Sequence, residues 1–136
     1  MWSEFIHHVV SHFAIVLPMV VAAVGLYALR TDESPLMPLV RWGGYIALGL
    51  TVVTAATGIY AGGWTGGEEH LQHHRNLGIL TLMTAAVAAV SYDGGVRHDI
   101  DDLRKFGVAI WWVASFATIG AGHWGVLGEH ADIIPL

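Results

Sequence analysis

The chain has 136 residues, of which 54% are hydrophobic and only 12% are charged, about half the charged fraction of a soluble protein. This composition excludes a soluble domain, and the net charge of −5 argues against nucleic acid or an anionic lipid surface as a partner. Cysteine is absent, which excludes disulfides, thiolate-bound zinc, iron–sulfur clusters and covalently attached c-type haem.

The sparse charges leave four charge-free stretches, at residues 5–29, 42–67, 76–92 and 106–128. A helix that crosses a bilayer needs about 20 apolar residues. The pattern therefore predicts an all-α protein with one integral membrane domain over residues 1–136. Its four transmembrane helices are expected at about 4–29, 36–62, 70–92 and 102–124. Since Met1 to Val10 contains no Lys or Arg, we expect the first helix to be retained and not cleaved as a signal peptide.

The connections between the predicted helices contain helix breakers. Ser34-Pro35 favours the start of the second helix, and a glycine-rich run from Gly62 to Gly67 separates the second from the third. Tyr92-Asp93-Gly94-Gly95 is expected to end the third helix, and Asp99 to Asp102 to open the fourth. Such short connections are typical of an up-down-up-down membrane four-helix bundle.

The cations are distributed unevenly between the two membrane sides. Side one is the membrane side that bears the N-terminus, and side two is the opposite membrane side. Five of the six Lys and Arg residues fall on side two, and Arg75 alone falls on side one. Because cytoplasmic loops are enriched in cations, side two is predicted to be cytoplasmic. The protein is then expected in the bacterial inner membrane with both termini in the periplasm.

Nine histidines are present, and the topology brings eight of them to side one. Buried polar groups in a membrane are costly and usually functional, so interfacial histidines alone do not explain the cluster. Neutral imidazole binds haem iron, zinc and copper, and the absence of thiolates favours b-type haem held by two histidines. The candidate metal ligands are His12, His74, His123 and His130.

His12 and His74 are predicted to ligate one iron, because they lie at similar depth on helices one and three, which are diagonal in such a bundle. His123 with His8 or His130 could form a second haem site, and a competing arrangement pairs His12 with His123. The glycine-rich second and fourth helices would flank the porphyrin. Arg75 is placed to neutralise a haem propionate.

Three motifs resemble a known family. They are His8-Val9-Val10-Ser11-His12-Phe13, His74-Arg75-Asn76-Leu77-Gly78 and Gly122-His123-Trp124-Gly125 with Gly128-Glu129-His130. They are similar to motifs of the small four-helix bacterial membrane proteins catalogued as domain of unknown function 2231. The chain departs from that pattern at Ala14, where proline is usual, and at Val126, where glycine is usual.

The resemblance spans nearly the whole chain and implies a cytochrome b-like role in association with c-type cytochromes. It also implies functional roles for five histidines, which are His8, His12, His74, His123 and His130.

The leading functional hypothesis is a membrane electron-transfer subunit with one or two b-type haems near the periplasmic face. Its expected partners are other membrane subunits, a periplasmic c-type cytochrome and a quinone pool. It fits a subunit of a redox complex better than a stand-alone enzyme. One alternative is a non-haem metal enzyme with carboxylate–imidazole ligands, using Glu4 with His7, Glu69 with His73, and Glu129 with His130. Another is a cofactor-free accessory subunit of a larger membrane complex.

Overall fold

A computed structural model describes residues 2–31, 34–62 and 69–129 of the chain. Within these ranges the protein is all-α, with no strand, which confirms the predicted fold class. A short 3-10 turn, Ser34–Leu36, precedes the second helix. The four α-helices are α1 (Trp2–Thr31), α2 (Met37–Gly62), α3 (Glu69–Arg97) and α4 (Asp101–Glu129).

All four helices are long and apolar enough to cross a membrane. The spans that qualify are Phe5–Thr31, Met37–Tyr60, Leu71–Arg97 and Asp101–Val126. Each helix packs against the next in sequence, and α1 also packs against α4, which gives the up-down-up-down bundle. Helices α1 and α3 are therefore diagonal to each other, as are α2 and α4. The starts of α1 and α3 and the ends of α2 and α4 meet at side one.

The residues that face the bundle interior recur at alternating spacings of four and three, the spacing of helices that pack as in a coiled coil. On α1 the interior positions are His7, Ser11, Ala14, Pro18, Val21, Gly25 and Ala28. On α3 they are His74, Gly78, Thr81, Ala85, Ala88, Tyr92 and Gly95. On α2 they are Val40, Gly44, Ala47, Thr51, Thr54 and Gly58. On α4 they are Val108, Trp111, Ser115, Thr118, Gly122 and Gly125. Most are small, which lets the helices approach closely without water between them.

Trp111 is the largest residue in this interior and is fully buried. It fits because α2 has a glycine opposite it, since a Cβ on Gly44 would lie 3.2 Å from Cζ2 of the indole. Trp111 is therefore part of the core and does not face lipid.

Helix α3 continues five residues beyond the predicted end at Tyr92 and includes Gly94 and Gly95. These glycines permit close packing of α4. A Cβ on Gly95 would lie 2.7 Å from the backbone nitrogen of Arg104. The chain reverses only at Asp99, whose φ of 52° lies in the left-handed region.

Candidate functional site

His7 lies at the side-one end of the interior stripe of α1 and is half-buried against α2. Its Nδ1–H donates to the backbone carbonyl of Thr54 at 3.1 Å and to Thr57 Oγ1 at 3.3 Å. The ring occupies the space that a side chain at Gly58 would fill, because a Cβ there would be 2.9 Å from His7 Cε1. Helix α2 thus positions this imidazole by a hydrogen bond and by a missing side chain.

His74 has the same kind of environment on the diagonal helix α3. It is half-buried, and its Nδ1–H donates to the carbonyl of Ala121 on α4 at 2.7 Å. A Cβ on Gly125 would lie 3.0 Å from His74 Nδ1. Each histidine therefore packs against a glycine of a neighbouring helix and bonds to a carbonyl of that same helix.

These residues form one layer of the bundle, in which two histidines and two glycines alternate. The His7 and His74 rings meet across the diagonal with centroids 6.2 Å apart and planes at 80°. Because a ring nitrogen binds a metal ion at about 2 Å, two imidazoles on opposite sides of one ion have centroids about 6 Å apart. The same separation is usual for an edge-to-face contact between two rings.

The hydrogen bonds determine the tautomer of both rings. A carbonyl oxygen only accepts hydrogen bonds, so Nδ1 of His7 and of His74 must carry the proton. The lone pair of each neutral ring is then on Nε2, the nitrogen available to a metal. Metal-ligating histidines commonly donate the other ring N–H to a carbonyl or carboxylate, which orients the ring and raises its basicity.

The next layer of the bundle carries very little side-chain volume. Its members are Ser11, Thr54, Gly78 and Gly122. A Cβ on Gly78 would meet no atom within 4 Å, although this position is half-buried. Thr54 Oγ1 is buried and has no hydrogen-bond partner in the part of the chain that the structure describes. The histidine layer thus borders an open position at Gly78 and a hydroxyl that has no hydrogen-bond partner among the described residues.

Of the described residues that were predicted to bind haem, His74 and Arg75 are part-buried, and the structure brings His74 together with His7. His8, His12 and His123 are exposed on the outside of the bundle. The His12 ring donates from Nδ1 to the His8 carbonyl of its own helix at 2.6 Å. His74 thus contacts His7 and not His12, and the ligation of one iron by His12 and His74 stays a prediction. His130 lies outside the described residues, so the second site that would use it stays a prediction.

A second group of rings lies on the outer surface of the same end. The His73 ring stacks on Trp124 with centroids 4.7 Å apart, and its Nε2 is 3.6 Å from Glu69 Oε1. His123 makes an edge contact with the same indole, at 6.1 Å between centroids. In the described ranges, no group of three or more His, Asp or Glu side chains is arranged to hold a metal ion. Of the three expected carboxylate–imidazole pairs, the structure shows the one formed by Glu69 and His73.

From the sequence, His7 was expected only as the partner of Glu4 in the carboxylate–imidazole alternative, and its interior position was missed. The signal was nevertheless present, because His7 continues the four-and-three spacing of Ala14, Pro18 and Val21, whereas His8 and His12 do not. Small residues in a membrane helix mark the face that packs against other helices.

No protein family model, curated protein or solved structure matches this chain. The resemblance to the family of unknown function therefore stays an expectation from short motifs.

Proposed function

We propose that this protein is a membrane electron-transfer subunit that binds b-type haem through two histidines near the periplasmic face. The observation that carries the proposal is the pair formed by His7 and His74. Both are part-buried, both have the proton on Nδ1, and both come from helices that face each other across the bundle. Two histidine ligands without thiolate are the ligand set of many b-type cytochromes.

The surrounding layers support a flat cofactor at this position. Gly58 and Gly125 make room for the rings themselves, and in the next layer a Cβ on Gly78 of α3 would meet no atom within 4 Å. Such missing side chains let backbone approach a planar group. Arg75, which follows His74 on α3 and is part-buried, is the residue proposed to neutralise a propionate.

The haem iron would supply one-electron chemistry, while the protein supplies the ligands, a low-polarity environment and the hydrogen bonds that tune the reduction potential. Here those hydrogen bonds are donated by the two Nδ1–H groups to carbonyls of Thr54 and Ala121. The proposed partners are a membrane donor such as a quinone pool or another subunit, and a periplasmic c-type cytochrome. His123 with His8 or His130 is the candidate pair for a second haem nearer the surface.

The visible spectrum and haem content of the full chain, purified in detergent with its native partners, test the proposal. Haem should be extractable with acidic acetone, because no cysteine is present to attach it covalently. The reduced protein should show the sharp α-band of a six-coordinate b-type cytochrome. Protein that contains no iron porphyrin would overturn the proposal. The His7–His74 contact would then be an edge-to-face packing contact of two rings, and metal analysis of the same sample would test the non-haem alternative.

A further inference from the structure

A buried carboxylate lies at the opposite end of the bundle, outside the histidine site. Asp93 on α3 is 8% exposed. It forms ion pairs with Nε of Arg41 on α2 and, at 2.7 Å, with Nε of Arg97 one turn further along α3. The Tyr45 side chain interacts with the same carboxylate. Ionisable residues inside a membrane are rare and usually functional, so this cluster calls for an explanation.

Asp93 uses only a part of the hydrogen-bonding capacity of the two arginines. A guanidinium has five N–H donors, and both arginines approach the carboxylate through Nε, which has one. In the described ranges, no side chain accepts a hydrogen bond from their terminal nitrogens. The Arg41 guanidinium lies over the Trp42 ring, 5.6 Å from its centroid, which restricts its orientation.

The cluster carries a net positive charge of one, since two guanidiniums surround one carboxylate. The other side-two cations near the start of α4 are locally neutralised. Arg104 is paired with Asp99 and Asp101, and Lys105 is paired with Asp101. Although the whole chain has a net charge of −5 and the start of α4 has one carboxylate in excess, with Asp99, Asp101 and Asp102 beside Arg104 and Lys105, the two guanidiniums of the cluster favour an anion at this position.

The cluster also lies near the side-two ends of the candidate membrane spans of α2 and α3. Arg97 is the last residue of the span Leu71–Arg97, and Arg41 is the fifth residue of the span Met37–Tyr60. Trp42, next to Arg41, is 61% exposed, as expected of an aromatic residue at the membrane interface.

We propose that Arg41 and Arg97 bind the phosphate group of an anionic phospholipid at the side-two end of the α2–α3 interface. Arginine and phosphate form charge-assisted hydrogen bonds, and basic sites between transmembrane helices are suited to anionic headgroups. Asp93 holds the two guanidiniums together, and its charge leaves one positive charge to match one phosphodiester. The inference is independent of haem binding.

Native mass spectrometry of the full chain in a neutral detergent tests this site, with phosphatidylglycerol, phosphatidylcholine and inorganic phosphate added separately. Wild-type protein should bind phosphatidylglycerol more tightly than phosphatidylcholine. Arg97→Gln should weaken phosphatidylglycerol binding about tenfold, the effect of losing one charge-assisted contact. Arg97 suits this test because its side chain is 59% exposed and Asp93 keeps its pair with Arg41.

Lys105→Gln is the matched control, because it removes the same charge from the same membrane side at a residue already paired with Asp101. It should leave phosphatidylglycerol binding within about twofold of wild type. Arg97→Lys keeps an ion pair with Asp93 even if Arg97→Gln fails to fold, and it should also weaken binding because the planar fork of donors is lost.

Three results would overturn the proposal. The first is equal binding of the two lipids. The second is an equal loss in the Arg97 variants and in Lys105→Gln. The third is binding of inorganic phosphate as tight as that of phosphatidylglycerol, which would indicate a site for a free anion.

Discussion

The imidazole rings of His7 and His74 lie 6.2 Å apart between centroids, although they belong to helices on opposite corners of the bundle. They can meet because the two intervening helices each have a glycine at this level, Gly58 on α2 and Gly125 on α4. Larger residues at these two positions would occupy the space of the rings. The contact between the histidines is thus a property of all four helices.

The first prediction concerns the haem ligands. His7→Ala and His74→Ala should each abolish the six-coordinate low-spin spectrum and lower the haem-to-protein ratio, because each removes one axial nitrogen. His12→Ala is the matched control, since this ring is exposed and bonds to its own helix. Low-temperature spectra and haem content of the purified variants provide the measurement. Loss of haem in His12→Ala with full retention in His7→Ala would instead support the pairing of His12 with His74 that the sequence predicts.

The second prediction concerns the glycines that make room for the rings. Gly58→Ala and Gly125→Ala should weaken haem binding about tenfold or more, because the new Cβ would be within 2.9 Å and 3.0 Å of a histidine ring atom and would displace it. Gly49→Ala is the control, since a Cβ there meets no atom within 4 Å. Titration of haem into the apoprotein gives the affinities. Equal affinities in all three variants would show that the ring positions do not depend on these glycines.

The third prediction concerns the buried ion pairs at side two. Asp93→Asn should lower the free energy of unfolding by about 3 kcal/mol, because it leaves Arg41 and Arg97 without their buried counter-charge. Thermal unfolding in detergent, followed by circular dichroism, provides the measurement. Asp101→Asn serves for comparison, since its side chain is half exposed, its pair with Lys105 is at the surface, and Arg104 keeps its pair with Asp99. We expect the melting temperature of this variant to be unchanged, and similar melting temperatures for both variants would argue against a buried pair at Asp93.

The fourth prediction concerns orientation and follows from the cation asymmetry between the two sides. A C-terminal alkaline phosphatase fusion should be active, and a C-terminal green fluorescent protein fusion should be dark, because both termini are expected in the periplasm. The reverse pattern would invert the assignment of sides. It would leave the helix count unchanged.

The amino-acid sequence by itself determined that the chain forms four apolar helices and that histidines gather at one end of them. Charge-free stretches of bilayer length report helices directly, because a membrane excludes unpaired backbone groups and charges alike. Short connections then place the starts of α1 and α3 on the same side. The absence of cysteine excluded thiolate ligands in the same direct way and left imidazole and carboxylate as candidates.

Only the tertiary structure decided which histidines face inward. Successive residues of an α-helix differ in direction by about 100°, so the adjacent His7 and His8 cannot both face the interior. Depth in the membrane, on which the pairing of His12 with His74 was predicted, contains no information about this rotation. His7 packs against Gly58 and faces the bundle interior, whereas His12 is exposed on the outside of the bundle. Gly94 and Gly95 resemble a helix end in the sequence. In the structure they lie within α3 and allow α4 to pack closely against it, and only the packing of the two helices reveals this role.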